Sequence, residues 1–232
     1  MGHQLRFRLP AVLVLAIAQS LAAADNAEPA SKPDGAGVPT PVSRADILRA
    51  MGLCTRGVAY DNQGEYGKAI ADFTGAIALN PFLAEAYNNR GKCYNEKHDP
   101  EKAIADCTRA IQLNPVFSEA YCNRGNGFER KGDFDKALAD YNKSIELNPK
   151  YAGVYLDRGN TYFAQGDFDK AITDYSKAID LVPNLFQAYT GRGSAYEMKR
   201  DLDKSLLDFN KSIELNPGRP IAYKNRGIVY QL

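Results

Sequence analysis

The chain has 232 residues, and its 29 basic side chains nearly balance its 28 acidic ones. This balance argues against a nucleic-acid-binding protein, which would carry a basic patch or stripe. The sequence has 2 histidines and no spacing of metal ligands, so acid–base catalysis and metal binding are disfavoured as well. We therefore predict a protein that is not an enzyme, with no cofactor and no nucleic-acid partner.

Residues 1–24 have the features of an export signal. Arg6 and Arg8 come before an apolar run over residues 9–18. Three alanines at 22–24 then supply the small residues that a cleavage site requires. The apolar run is short for a membrane span, which needs about 20 apolar residues. We predict a periplasmic or secreted protein with no membrane span after cleavage; the alternative is a chain anchored by an uncleaved signal.

Residues 25–43 are rich in proline, glycine and alanine. Such a stretch cannot bury enough apolar surface to offset the entropic cost of ordering it. We predict a flexible linker that ends at Ser43, which lies where the N-cap of the first helix belongs.

Prolines recur at a fixed spacing of 34 residues through the rest of the chain. A period of this length indicates stacked supersecondary units. The prolines are Pro81, Pro115, Pro149, Pro183 and Pro217. Placing each at position 32 of its unit defines repeats 50–83, 84–117, 118–151, 152–185 and 186–219, followed by a terminal helix over 220–232.

Each unit reads as two antiparallel helices. Position 8 is always glycine and position 20 is alanine or serine, which lets the two helices approach closely despite the helix penalty of glycine, about 1 kcal/mol. Large residues at positions 4, 11 and 24 fill the space around this contact. The position 8 residues are Gly57, Gly91, Gly125, Gly159, Gly193 and Gly227.

This pattern resembles the tetratricopeptide repeat (TPR) family over about residues 44–232. The resemblance rests on the large residue, glycine and aromatic residue at positions 4, 8 and 11, with small residues at 20 and 27 and proline at 32. It implies an all-α, right-handed superhelical solenoid of helix-turn-helix repeats whose first helices line a concave groove. It also implies a scaffold that binds a peptide or protein partner. Because the fold itself fixes no chemistry, the particular function depends on the residues of the groove.

One departure from the family pattern is a charged pair in every repeat. Position 7, usually apolar, is always arginine, and position 23 is always aspartate. We interpret these as structural ion pairs that join the two helices of a repeat; the alternative is that the arginines bind an anionic ligand. Arg226 has no aspartate after it and is the one arginine expected to be free. The predicted pairs include Arg90 with Asp106, Arg124 with Asp140, and Arg158 with Asp174.

The resemblance assigns positions 2, 5, 6, 9, 12 and 13 to the groove. Amides there could pair with the backbone of an extended peptide, and apolar side chains further along could serve as anchors. The alternatives are a solvated face and contact with a missing neighbour. The candidate groove residues are Asn88, Asn89, Lys92, Asn123, Asn126 and Arg130 in repeats 2 and 3, then Phe163, Met198 and Ile228.

The four cysteines fit no metal-binding spacing. Cys107 and Cys122 flank one junction between repeats and form the most plausible disulfide, although buried free thiols are the simpler interpretation.

The sequence thus predicts an exported scaffold or adaptor that holds a partner in its groove. The alternative function is a self-assembling or regulatory subunit of an envelope enzyme complex, with self-association through the C-terminal helix.

Overall fold

The computed structural model describes residues 42–218 and 220–229, without the side chains of 221 and 222. The predicted signal at 1–24 and nearly all of the linker at 25–43 lie outside the described residues. Within them are eleven α-helices and no strand. The helices are α1 (Arg44–Asn62), α2 (Tyr66–Leu79), α3 (Ala84–Glu96), α4 (Pro100–Leu113), α5 (Ser118–Arg130), α6 (Phe134–Leu147), α7 (Ala152–Ala164), α8 (Phe168–Leu181), α9 (Phe186–Met198), α10 (Leu202–Leu215) and α11 (Pro220–Val229).

Polar caps and left-handed turn residues set the helix boundaries. Ser43 Oγ accepts a hydrogen bond from the Asp46 backbone N–H at 3.1 Å and so caps α1. An aspartate caps α4, α6, α8 and α10 in the same way. The turn inside each repeat needs a positive φ, which glycine adopts without strain; the residues there are Gly64, Gly132 and Gly166, with His98 and Arg200 in the other two repeats.

In four of the five repeats the two helices meet where the position 8 glycine faces an aromatic ring; in repeat 2, Gly91 faces the Cys107 thiol. A Cβ atom added to Gly125 on α5 would lie 2.6 Å from Cε1 of Tyr141 on α6, closer than van der Waals contact allows. Tyr141 is fully buried, so its ring occupies the space that the glycine leaves. The glycines at position 8 therefore set the distance between paired helices.

The pairs stack into the predicted all-α, right-handed superhelical solenoid. Each second helix packs on the first helix of the next repeat, as α4 does on α5. The first helices α1, α3, α5, α7, α9 and α11 also contact one another in series. They therefore form one continuous inner face, which we call the first-helix face. No helix within the described ranges has both the length and the apolar content that crossing a membrane requires.

Candidate peptide-binding groove

Five arginines at position 7 form bidentate ion pairs beneath the first-helix face. In each pair the arginine Nε and Nη2 donate to the two carboxylate oxygens of an aspartate at 2.6–2.8 Å, the geometry that makes such pairs strong. The pairs are Arg56–Asp72, Arg90–Asp106, Arg124–Asp140, Arg158–Asp174 and Arg192–Asp208.

The remaining nitrogen, Nη1, reaches back to the preceding repeat. Arg124 Nη1 donates to Thr108 Oγ1 at 3.4 Å, and its guanidinium lies 5.6 Å from the centre of the Tyr121 ring. The same bond to position 25 recurs along the chain, in Arg90–Thr74, Arg158–Asn142, Arg192–Ser176 and Arg226–Asn210. Each of these arginines except Arg226 thus joins three helices, which the sequence pattern alone did not reveal.

These contacts bear on the alternative that the arginines bind an anion. The guanidinium of Arg124 already uses Nε, Nη1 and Nη2, and its side chain is 21% exposed. Arg226, expected to be free, donates to Asn210 Oδ1 at 2.7 Å and stacks on Tyr223. The geometry therefore favours the structural interpretation over an anion-binding ladder.

Two of the candidate groove asparagines bind each other. Asn123 Nδ2 donates to Asn88 Oδ1 at 2.9 Å, and the backbone oxygen of Asn123 accepts from Asn95 Nδ2 at 2.7 Å. All three side chains are buried between α3 and α5. Contrary to the expectation that Asn88 and Asn123 are free to pair with a peptide, these amides link neighbouring repeats.

Three other candidates stay closer to the surface. Asn89 is half-buried, and its Oδ1 accepts from Asn88 at 3.3 Å. Lys92 is exposed and forms an ion pair with Asp61 at 2.7 Å. Arg130 is exposed, with Nη1 2.9 Å from Nδ1 of His98. These residues remain able to contact a ligand.

The junction of repeats 3 and 4 holds two half-buried carboxylates, Asp157 and Glu129. Asp157 Oδ2 accepts from Asn126 Nδ2 at 3.1 Å and from the Cys122 thiol at 3.3 Å. The Tyr141 hydroxyl lies 2.9 Å from Glu129 Oε2 and 2.7 Å from Asn126 Oδ1. Neither carboxylate forms an ion pair with any described residue.

Burial sets the electrostatics of this junction. It raises the pKa of Asp157, and the negative charge of Glu96 adds to this rise, whereas the bonds from Asn126 and Cys122 oppose it. Burial likewise raises the pKa of Glu129, and the nearby Asp157 charge adds to it. The positive charge of Arg130 opposes both rises. The sequence pattern did not predict either carboxylate as a site residue.

The apolar candidates differ in exposure. Phe163 is half-buried and packs edge-on against Phe168 with ring centres 5.4 Å apart, beside the buried Tyr175. It thus packs against the second helix of its own repeat, although it was expected to serve as an anchor. Met198 is 56% exposed and Ile228 is 38% exposed, so both can contact a partner.

The cysteines show no sign of a reactive site. All four are free thiols, including Cys107 and Cys122, the pair considered for a disulfide. Burial raises the pKa of Cys54 and of Cys93 to about 12, which leaves both thiols protonated and poorly nucleophilic at neutral pH. In the described part of the chain, no group of three or more metal-ligating side chains comes together.

Stacked helix pairs with a continuous first-helix face define a class of proteins, the helical repeat solenoids. The chain belongs to the tetratricopeptide repeat family. Family models described as tetratricopeptide repeat match residues 50–83, 84–117, 118–151, 140–173 and 186–219, and one described as TPR repeat matches 159–199.

Solved structures include several similar chains. MamA is 27% identical, with 73% of this chain and 92% of that chain covered and a TM-score of 0.57. A thermophilic TPR protein in Thermus thermophilus is 21% identical, with coverage of 79% and 100% and a TM-score of 0.69. YrrB, described as a TPR protein with an unusual peptide-binding site, is 20% identical, with coverage of 77% and 92% and a TM-score of 0.56. The last two show the fold alone. Comparison with curated proteins gave no match.

Proposed function

We propose that this protein is a non-catalytic scaffold that binds an extended segment of a partner protein along its first-helix face. The observation that carries the proposal is the continuity of this face combined with its uneven chemistry. Charged and amide side chains stay accessible in repeats 2 and 3, whereas Met198 and Ile228 expose apolar surface further along. Such a surface can offer hydrogen bonds to a backbone and anchor positions for side chains. The peptide-binding site described for YrrB supports the same use of the fold.

Site-specific crosslinking tests which face binds. Photoreactive p-benzoylphenylalanine would replace either Asn160, exposed on first helix α7, or Asp180, exposed on second helix α8. The probe is a peptide selected by the full chain from a displayed random library. We expect crosslinking from position 160 and little from position 180, since the partner lies on the first-helix face. Equal labelling at both positions, or labelling at 180 alone, would contradict the proposal.

We also propose that the protein acts outside the cytoplasm, after removal of residues 1–24. The proposal rests on the basic start, the apolar run and the alanines before residue 25. Fractionation of bacterial cells that express the full chain, with N-terminal sequencing of the product, tests it. We expect an envelope or medium fraction whose first residue is Asp25. A cytoplasmic product that still carries Arg6 and Arg8 would refute the proposal.

A further inference from the structure

The groove positions of the first-helix face carry more acid than base. At positions 2, 5, 6, 9, 12 and 13 of the described repeats, Asp61 alone is neutralised within the described residues, by Lys92 at 2.7 Å. The remaining basic residues at these positions are Arg130 and Lys224. The acidic residues there are Asp61, Glu85, Glu96, Glu119, Glu129, Asp157 and Glu197.

The rest of the chain does not supply the missing positive charge. The guanidinium of Arg124 is held by Asp140 on the side of the first helix that faces α6. Lys136 pairs with Asp133 at the start of α6. The same two pairings recur from repeat to repeat, so the bases of the solenoid are largely used in its scaffold. Apart from Asp61, the acids of the first-helix face therefore form no ion pair within the described residues, and Arg130 lies near Asp157 and Glu129 without pairing with either.

Asp157 is where this imbalance is most costly. It is half-buried, accepts from Asn126 and Cys122, and lies near the negative charges of Glu96 and Glu129. The charge of Arg130 partly offsets them, but Arg130 forms no ion pair with Asp157 or Glu129. A desolvated carboxylate beside like charges destabilises the protein that holds it. A cation from outside would offset that cost, because it would supply the ion pair that the chain lacks.

We propose that the partner segment is basic and places a lysine or arginine side chain against Asp157 and Glu129, at the junction of repeats 3 and 4. The inference rests on the proposed function and adds the chemistry of the partner. Opposite charge on the two surfaces fixes the register of the segment and speeds its association. It also rejects acidic segments, since like charges would be brought together.

The negative charge of Asp157 would then lower the stability of the free protein and strengthen binding of a basic segment. The folded-state pKa of Asp157 is raised, so ionisation near neutral pH costs stability that is recovered as pH falls below the raised pKa. Asp157→Asn keeps the shape and removes the charge. We expect a higher melting temperature together with weaker binding of a basic peptide, the trade-off expected of a residue retained for function.

Short fluorescent peptides of matched length provide the test. One alternates lysine with threonine, the second serine with threonine, and the third glutamate with threonine. Fluorescence anisotropy with the full chain should show the lysine peptide binding about tenfold or more tightly than the serine peptide, with the glutamate peptide weakest. Asp157→Asn should lower the affinity for the lysine peptide about tenfold, because one well-placed charge contact is lost. Asp180→Asn, which removes an equal charge from an exposed second-helix position, should leave the affinity unchanged.

The outcomes separate this inference from the proposed function. If the three peptides bind equally well, the first-helix face still binds peptides but the preference for basic segments is refuted. If Asp157→Asn and Asp180→Asn weaken binding of the lysine peptide equally, the peptide is attracted by the overall negative charge of the protein. The assignment of its binding site to the junction of repeats 3 and 4 is then wrong. If no peptide binds, the inference is overturned, whereas the proposed function is judged by crosslinking with library-selected peptides.

Discussion

Replacement of Asp140 by asparagine should destabilise the protein by about 3–5 kcal/mol, the usual cost of removing one partner from a buried ion pair. Asp140 is buried, and its two oxygens accept from Arg124 Nε and Nη2 at 2.8 Å. Without the carboxylate, a largely buried guanidinium loses its counterion between α5 and α6. We expect a clearly lower midpoint in urea unfolding followed by circular dichroism.

The first repeat provides a matched control for this variant. Asp72→Asn removes an ion pair of the same geometry. Its partner Arg56 is, however, 60% exposed because no described helix packs on that side. Water can solvate the freed guanidinium, so we expect a clearly smaller loss than for Asp140→Asn. Replacing both Arg124 and Asp140 by leucine should recover much of the loss, since no buried charge remains. Equal effects of Asp72→Asn and Asp140→Asn would show that burial does not govern the pairs.

Gly125→Ala should lower stability by about 1–3 kcal/mol, the range for overpacking a filled core. The added methyl would lie 2.6 Å from Cε1 and 2.9 Å from Cδ1 of Tyr141. That ring is fully buried, with its hydroxyl close to Asn126 and Glu129, so it has little room to move. The clash exceeds the gain in helix propensity, which favours alanine by about 1 kcal/mol.

Gly227 occupies the same position 8 in α11 and supplies the control. A Cβ atom there would meet nothing within 4 Å among the described residues, because no described second helix faces it. Gly227→Ala should therefore raise stability by up to about 1 kcal/mol through helix propensity alone. Thermal unfolding of the two variants should shift in opposite directions. A similar shift in the same direction would mean that the close approach at Gly125 does not limit packing.

The fold could be predicted from the sequence because the same residue types recur every 34 residues. Glycine at position 8 and a small residue at position 20 recur in all five units, and an aromatic ring fills position 24 in four of them; each of these residues specifies one contact inside a unit. The arginine and aspartate at positions 7 and 23 could be paired by the same argument, since both lie on helices of one unit. The contact from arginine to position 25 was missed because its partner lies in the preceding unit.

The groove was harder to predict because it depends on how units stack. Asn88 and Asn123 occupy positions 5 and 6 of successive repeats, and their pairing follows from the register between α3 and α5. The same register brings Asn126 and Cys122 to Asp157. A sequence period says which residues face inward, but it does not say which of them bind each other and which stay accessible. Phe163 differs, because it packs on Phe168 of its own unit instead of serving as an anchor.

The most direct test of the central claim is where a bound peptide lies on the solenoid. With p-benzoylphenylalanine at position 160 on α7 or at position 180 on α8, mass spectrometry of the illuminated complex locates the peptide. Binding along the first-helix face predicts crosslinks from position 160 that unlabelled peptide abolishes, and none above background from position 180. Crosslinks from position 180 that compete in the same way, with position 160 silent, would contradict it.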